Sequence, residues 1–387
     1  MTKSRKGLSV GFLFDDTLDS TDGVSQQVRR LGEYLSQHGH KVVYLCGETK
    51  LQEWSGGKVY SLSKNIRIRF NGNRLSMPLF SSKRRIRKVL RAEGLDLIHV
   101  MTPYSPLMAQ RVIAEAKRQN VVVIGSFHIL PSGWLSAFGA RFLGWLQFFS
   151  LRKIQAFTST SKNAALFARR TMRIKSVVVP NMVNTSAFLG GQKIGNIPSR
   201  IVFLGRLVER KGCGQLLCAF AELAKSKPEA ELVIAGDGPD RAKLERLVDE
   251  LELREKVKFL GFIDESDKPK ILGSAEIACF PSLYGESFGL VLIEAMAAGA
   301  GVVLGGDNPG YRSVLGKQEK LLVNPRNTQE LALRLDELLS NKKLISELNQ
   351  WQQESVKQYD VNIVGLRFVK LYESLIDIKT KNGHNNA

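Results

Sequence analysis

Short apolar, β-branched runs alternate with helical patterns along the whole chain, and no other feature limits the fold so strongly. LSVGFLF, KVVYLCG, DLIHVM, VVVIGSF and IQAFTST recur through the first half. RIVFLGR, AELVIAG, VKFLGF, EIACFPS and GVVLGG follow in the second. Strands this continuously apolar, separated by helical segments, belong to parallel sheets covered on both faces. Two such series in 387 residues imply two doubly wound α/β domains, since one ordinary core does not grow that large. The Gly-, Asn- and Ser-rich stretch from Val183 to Arg200 reads as the linker. Ligands of open α/β sheets bind at the carboxyl ends of the strands. The expected site is therefore a cleft between the two domains, and chemistry is sought just past the strands.

Charge is unevenly placed. The chain carries a net charge of +19. Residues 1–190 hold 29 Lys and Arg against 10 Asp and Glu, whereas the rest holds 27 of each. No acidic residue lies between Glu115 and Glu209. Such a half points to an extended anionic partner: a membrane surface, a nucleic acid or an anionic polymer. The apolar run before Asp15 is too short for the core of an export signal, and no run reaches the length of a membrane span. The four cysteines lack metal-site spacing and read as reduced thiols of a cytoplasmic protein.

Several strand ends carry candidate chemistry. After IVFLG, the loop RLVERKG brings Arg206 and Lys211, which could clamp a diphosphate; an ordinary basic loop has the same composition. After ELVIAG, DGPD (Asp237–Asp240) reads as a turn before a helix expected from about Arg241, and glycines there, Gly236 and Gly238 on either side of Asp237, would admit a nucleotide close to the backbone. After EIACFPS comes YGESFGLVLIEAMAAGAGVV. Glu286 falls in the loop, and the N–H groups of Ser287, Phe288, Gly289 and Leu290 fall at a helix start, where unpaired donors attract an anion. Glu294 follows eight positions on, a little over two helical turns, inside apolar flanks. A buried carboxylate there needs a partner. In the first half, Gly23 stands at the start of a helix and His128 just past a strand.

Together these residues resemble the family 4 glycosyltransferases of GT-B architecture. The resemblance rests on DGVSQQV, the GR…KG pair Arg206 and Lys211, GDGP, and GESFGLVLIEAMAAG with its Glu-x7-Glu pair. It spans nearly the whole chain in order. RIRFNGNRLSMPL, GSFH and NPGYRSVL bring the chain closest to phosphatidylinositol mannosyltransferases and related lipid glycosyltransferases. It departs from many members at Asp22, where they have glycine, and in GYRSVL, where much of the family has glutamate. The resemblance implies a GT-B fold, two Rossmann-like domains facing each other across a cleft. It gives an acceptor-side domain over 1–190, a nucleotide-sugar domain over 191–354, and a C-terminal helix in 355–387 that packs back on the first. It implies retaining, metal-independent transfer of a hexose from a nucleotide diphosphate sugar, with GDP-mannose or UDP-glucose as substrate and no cofactor or metal. Arg206 and Lys211 would hold the diphosphate, Glu286 the sugar hydroxyls and Glu294 the ribose. His128 and Gly23 would line the sugar and acceptor side.

The basic half suggests the acceptor. Ser81–Gly94 places Lys83, Arg84, Arg85, Arg87, Lys88 and Arg91 beside a narrow stripe of Ile86, Val89 and Leu90, a pattern suited to an anionic membrane. Pro131–Lys153 adds an aromatic stripe of Trp134, Phe138, Phe142, Trp145 and Phe149. The expected protein is a peripheral enzyme on the inner face of the cell membrane that glycosylates phosphatidylinositol or diacylglycerol. A transferase for a polysaccharide or soluble acceptor is the alternative, and a non-catalytic polyanion- or lipid-binding protein on the same fold is a third reading. No nucleic-acid module is recognisable.

Overall fold

The computed structural model describes residues 7–15, 18, 23–70, 73–101, 103, 105, 107–128 and 148–384. The chain divides into two compact units, one formed by Met1–Met182 with Val361–Ala387, the other by Val183–Asp360.

The first unit contains β1 (Ser9–Phe14), α1 (Gly23–Gln37), β2 (Lys41–Cys46), β3 (Glu53–Trp54), β4 (Gly57–Ser61), β5 (Ser63–Phe70), β6 (Asn73–Ser81) and α2 (Lys83–Glu93). β7 (Leu97–Val100), α3 (Met108–Arg118), β8 (Val122–Phe127), β9 (Ala156–Ser159), α4 (Lys162–Met172) and β10 (Val177–Val178) follow. Its sheet runs β10-β9-β8-β7-β1-β2-β4-β3, parallel except for β3, with β5 and β6 as a separate antiparallel hairpin. Alternate residues feed two apolar layers. Phe12, Tyr44 and Ile124 pack with Val28 and Leu31 of α1. Leu13, Val43 and Val123 pack with Ile86 of α2, Val112 of α3 and Ala168 of α4. Both faces are covered, which is why the strands read as unbroken apolar runs; each such side chain contributes about 1.5–3 kcal/mol on burial.

The second unit contains α5 (Thr185–Gln192), β11 (Ile197–Leu204), α6 (Cys213–Ser226), β12 (Glu231–Ala235), α7 (Arg241–Glu250), β13 (Val257–Gly261), α8 (Lys268–Gly273) and β14 (Ala275–Phe280). α9 (Leu290–Ala298), β15 (Val302–Gly306), β16 (Leu322–Val323), α10 (Thr328–Ser340) and α11 (Lys342–Val356) complete it. All six strands are parallel, in the order β13-β12-β11-β14-β15-β16. The order reverses between β11 and β14, the switch point at which a doubly wound sheet opens a crevice for a ligand. α12 (Val361–His384) then returns to the first unit, where Val364, Phe368 and Tyr372 join the core layer of α1.

All ten apolar runs read from the sequence contain strands. The short strands β3, β4, β10 and β16 and the hairpin β5–β6 escaped that reading. Asn71-Gly72, a hairpin-turn dipeptide, was the available signal for the last. Among the described residues no helix is long and apolar enough to cross a membrane.

Candidate active site

In the second unit, the loops after β11 and β14 meet at the switch point. Leu283 N–H donates to the Arg210 carbonyl at 2.8 Å. Gly212 has φ +75°, and a Cβ there would stand 2.0 Å from the Pro281 carbonyl oxygen. Only glycine lets the two loops approach this closely. Their approach brings Lys211 Nζ to 2.8 Å and an Arg210 guanidinium nitrogen to 3.1 Å from the same Glu286 Oε1. Burial pushes the Glu286 carboxyl up, but Lys211 and Arg210 outweigh it and hold the group below the usual glutamate range. The loop is fixed from behind. Asn308 Nδ2 donates to the carbonyls of Ser282 and Gly306 at 3.1 Å each, and the Ser282 and Tyr311 hydroxyls are 3.0 Å apart.

The helix expected in GESFGLVLIEAMAAG begins at Leu290, capped by Gly289 at φ +115°. Its N-terminal turn therefore presents backbone donors beside the Glu286 loop. Of the two glutamates only Glu294 is in α9, and Glu286 falls in the loop before it, as the sequence places it. Glu286 lies outside the helix and turns to the β11 loop. Glu294 is buried, with Lys268 Nζ 3.7 Å from its Oε2; Lys268 also lies 2.6 Å from Glu265 Oε1. The expected turn lies at Gly238–Arg241, where Arg241 N–H donates to the Gly238 carbonyl at 3.1 Å, with Gly236 and Asp237 leading into it from β12, and α7 begins at Arg241. The Asp237 carbonyl accepts from Leu207 N–H at 3.0 Å, which ties this turn to the β11 loop. Arg206 is exposed in that loop, and Arg210 stands with Lys211 on Glu286.

In the first unit, Gly23 opens α1, with open space where a Cβ would be. His128 directly follows β8. Its Nε2 is buried and has no hydrogen-bond partner among the described residues, and burial lowers its pKa to about 4. One layer below on the same strand, Ser126 Oγ links His99 Nε2 at 2.6 Å to Thr158 Oγ1 at 2.5 Å, while His99 Nδ1 contacts the Tyr372 hydroxyl at 2.7 Å.

Ser82 caps α2, and the stripe Ile86, Val89 and Leu90 is buried, as the spacing predicts. Lys83, Arg84, Arg85, Arg87, Lys88 and Arg91 are all exposed. Arg87 is tied to Glu115 at 2.9 Å, and its guanidinium, outweighing burial, brings that carboxyl to about 2. Lys83, Arg111 and Arg118 line a groove of about 350 Å³ between α2 and α3. The aromatic stripe from Trp134 to Trp145 lies outside the described residues.

Sequence reasoning missed Arg210, Lys268, Asn308 and Tyr311. Arg210 stood beside Lys211 in a visible basic doublet. Lys268 carries no local signal, because its partner Glu294 is brought near only by the packing of α8 on α9.

Two family profiles match the chain. Residues 21–187 match Glycosyltransferase Family 4 and residues 192–357 match Glycosyl transferases group 1. The chain is 28% identical over 388 residues to the phosphatidyl-myo-inositol mannosyltransferase of Mycolicibacterium smegmatis, covering 95% of this chain and 94% of that protein. Among solved structures, a glycosyltransferase of Rickettsia africae superposes with a TM-score of 0.76 at 17% identity, covering 96% of this chain and 99% of that one. Anabaena HepE in complex with UDP and glucose superposes with a TM-score of 0.72 at 18% identity, covering 95% and 100%. The two parallel-sheet units are those of the GT-B fold, and the chain belongs to the family 4 glycosyltransferases, which transfer a hexose from a nucleotide sugar with retention.

Proposed function

We propose that this enzyme transfers a hexose, mannose or glucose, from GDP-mannose or UDP-glucose to a membrane lipid such as phosphatidylinositol or diacylglycerol, without a metal. The observation that carries the donor half is the Lys211–Glu286 contact beside the first turn of α9. Lysine has three donors, so pairing with Glu286 leaves two for phosphate oxygens. Arg206, Lys211 and the N–H groups of Ser287–Leu290 bind the diphosphate and stabilise the charge that develops on it as the sugar leaves. Glu286 accepts from sugar hydroxyls, and Glu294 binds the ribose. Gly236 and Gly238 let the nucleotide approach the backbone. His128 and Gly23 line the sugar and acceptor side. The C1–O bond to the diphosphate breaks as a C1–O bond to the acceptor hydroxyl forms on the same face, and the hydroxyl proton passes to the leaving oxygen.

The acceptor half is supported by similarity to a phosphatidyl-myo-inositol mannosyltransferase and by the exposed cations of α2. This basic face would hold the enzyme at the cytoplasmic surface of an anionic membrane. The test is transfer of labelled hexose from each donor into phosphatidylinositol, diacylglycerol and a soluble glycan. Label entering a lipid, and lost in Glu286→Gln, supports the reading. Label entering only the soluble glycan would move the acceptor to that class. Equal activity in Glu286→Gln would sink the site.

A further inference from the structure

The first unit carries a second basic and apolar surface, far along the sheet from α2. It is built from α4 and the edge strand β10. Lys162, Leu166 and Arg169 share one face of α4 at 4- and 3-residue intervals, and Arg173 follows as its left-handed C-cap. All four are exposed, and Leu166 keeps 48% of its surface in water. β10 is the edge of the sheet and pairs only with β9, and its Val177 and Val178 are 54% and 40% exposed. Between α4 and β10 runs a groove of about 360 Å³ lined by Lys162, Leu166, Arg169, Lys175 and Val178.

At two residues β10 is itself a short edge strand, yet both of its valines stand in water. Here Leu166 and Val178 share the groove with Lys162, Arg169 and Lys175, and Arg170 and Arg173 are exposed beside them in the chain. No ion pair to any of these five occurs among the described residues. No acidic residue lies in the sequence from 116 to 208 to supply one. An aliphatic centre with a cationic rim is the complement of an anionic bilayer interface, where side chains enter the acyl boundary and cations meet the headgroups. A second copy of the chain would set the same five cations against themselves. A nucleic acid would gain little from aliphatic residues that cannot stack on bases. α4 also covers the same sheet face as α2, since Ala168 and Ile86 share one core layer.

We propose that the α4–β10 surface is a second membrane contact, in which Leu166, Val177 and Val178 insert into an anionic bilayer and the surrounding cations bind its phosphates. This rests on the lipid-acceptor reading only in naming a bilayer as the partner.

The experiment places an environment-sensitive fluorophore at Leu166→Cys in the full chain carrying Cys218→Ser, since the other three cysteines are buried. Vesicles of phosphatidylglycerol, or of phosphatidylcholine alone, are added, and binding is followed separately by co-sedimentation. The expected result is a blue shift with phosphatidylglycerol only. The triple variant Leu166→Ser, Val177→Ser, Val178→Ser should lose about tenfold in partitioning while its melting curve and its stabilisation by nucleotide sugar stay unchanged. A fluorophore that remains in water on vesicle-bound protein overturns the proposal. So does absence of vesicle binding, a blue shift that needs only higher protein concentration, or one produced by a single-stranded oligonucleotide alone. Sugar transfer to lipid is read in parallel. Transfer without insertion at position 166 removes this contact and leaves the acceptor reading standing; insertion without transfer does the reverse.

Discussion

Lys211 Nζ and Glu286 Oε1 are 2.8 Å apart, although 75 residues separate them in the chain. The contact exists because β11 and β14 are neighbours at the reversal of the sheet, so their loops share one end. Replacing Glu286 by glutamine keeps the shape and removes the charge. On the proposed role, transfer should fall by about 10²–10³-fold, as for loss of a group that acts mainly in the transition state. Steady-state kinetics beside a thermal melt checks this. The carboxyl is held below the ordinary value of 4.5, so it stays ionised as pH falls through that value. Its contribution is complete above the unfolded pKa and is lost only as pH drops through the lower folded one. Activity governed by Glu286 should therefore have no acid limb above about pH 4.5.

Gly212→Ala should cost about 1–3 kcal/mol, because φ +75° is strained for alanine and the new methyl meets the Pro281 carbonyl. Urea unfolding measures the loss. Stabilisation by nucleotide sugar should weaken in the same variant, since the two loops are forced apart. An unchanged donor response would show that their approach does not shape the donor site.

The first unit should weaken in acid before the second. His99 is buried and its pKa lies at about 3; burial is the first cause and the nearby His128 the second. The unfolded chain takes up this proton near 6.5, whereas the folded one does so only near 3. Between those values the unfolded state binds more protons, so stability falls as pH falls, at up to about 1.4 kcal/mol per unit for this group. Tyr372→Phe removes a buried partner of His99 and should cost a further ~1–3 kcal/mol. Hydrogen exchange at about pH 7 and about pH 5 would resolve the two units.

Changing Lys83, Arg84, Arg85 and Lys88 to glutamine should reduce partitioning onto phosphatidylglycerol vesicles about fivefold per cation removed, since each contributes roughly 1 kcal/mol near such a surface. Arg87 is left in place because it holds Glu115. Donor-induced stabilisation should persist, as these side chains belong to the other unit. High salt should weaken wild-type binding more than it weakens the variant's, whose remaining salt dependence comes from the α4–β10 cations.

Elements were legible from the sequence wherever the signal was local. Continuous apolar strands such as VVVIGSF declare burial on both faces. The stripe Ile86, Val89, Leu90 declares which face of α2 is inward. Asp-Gly-Pro-Asp declares a turn before α7. Pairing is not local. Glu286 and Glu294 look like one motif, yet one leaves the helix to meet Lys211 and Arg210 and the other stays to meet Lys268. Periodicity reports which side of an element is buried, and ion pairs report which elements lie together. The chain itself determined two parallel α/β units and the residue types gathered at the proposed diphosphate site. Only the tertiary structure decided which cation faces which carboxylate, because that choice depends on strand order and loop approach across dozens of residues, where the sequence carries no period to read.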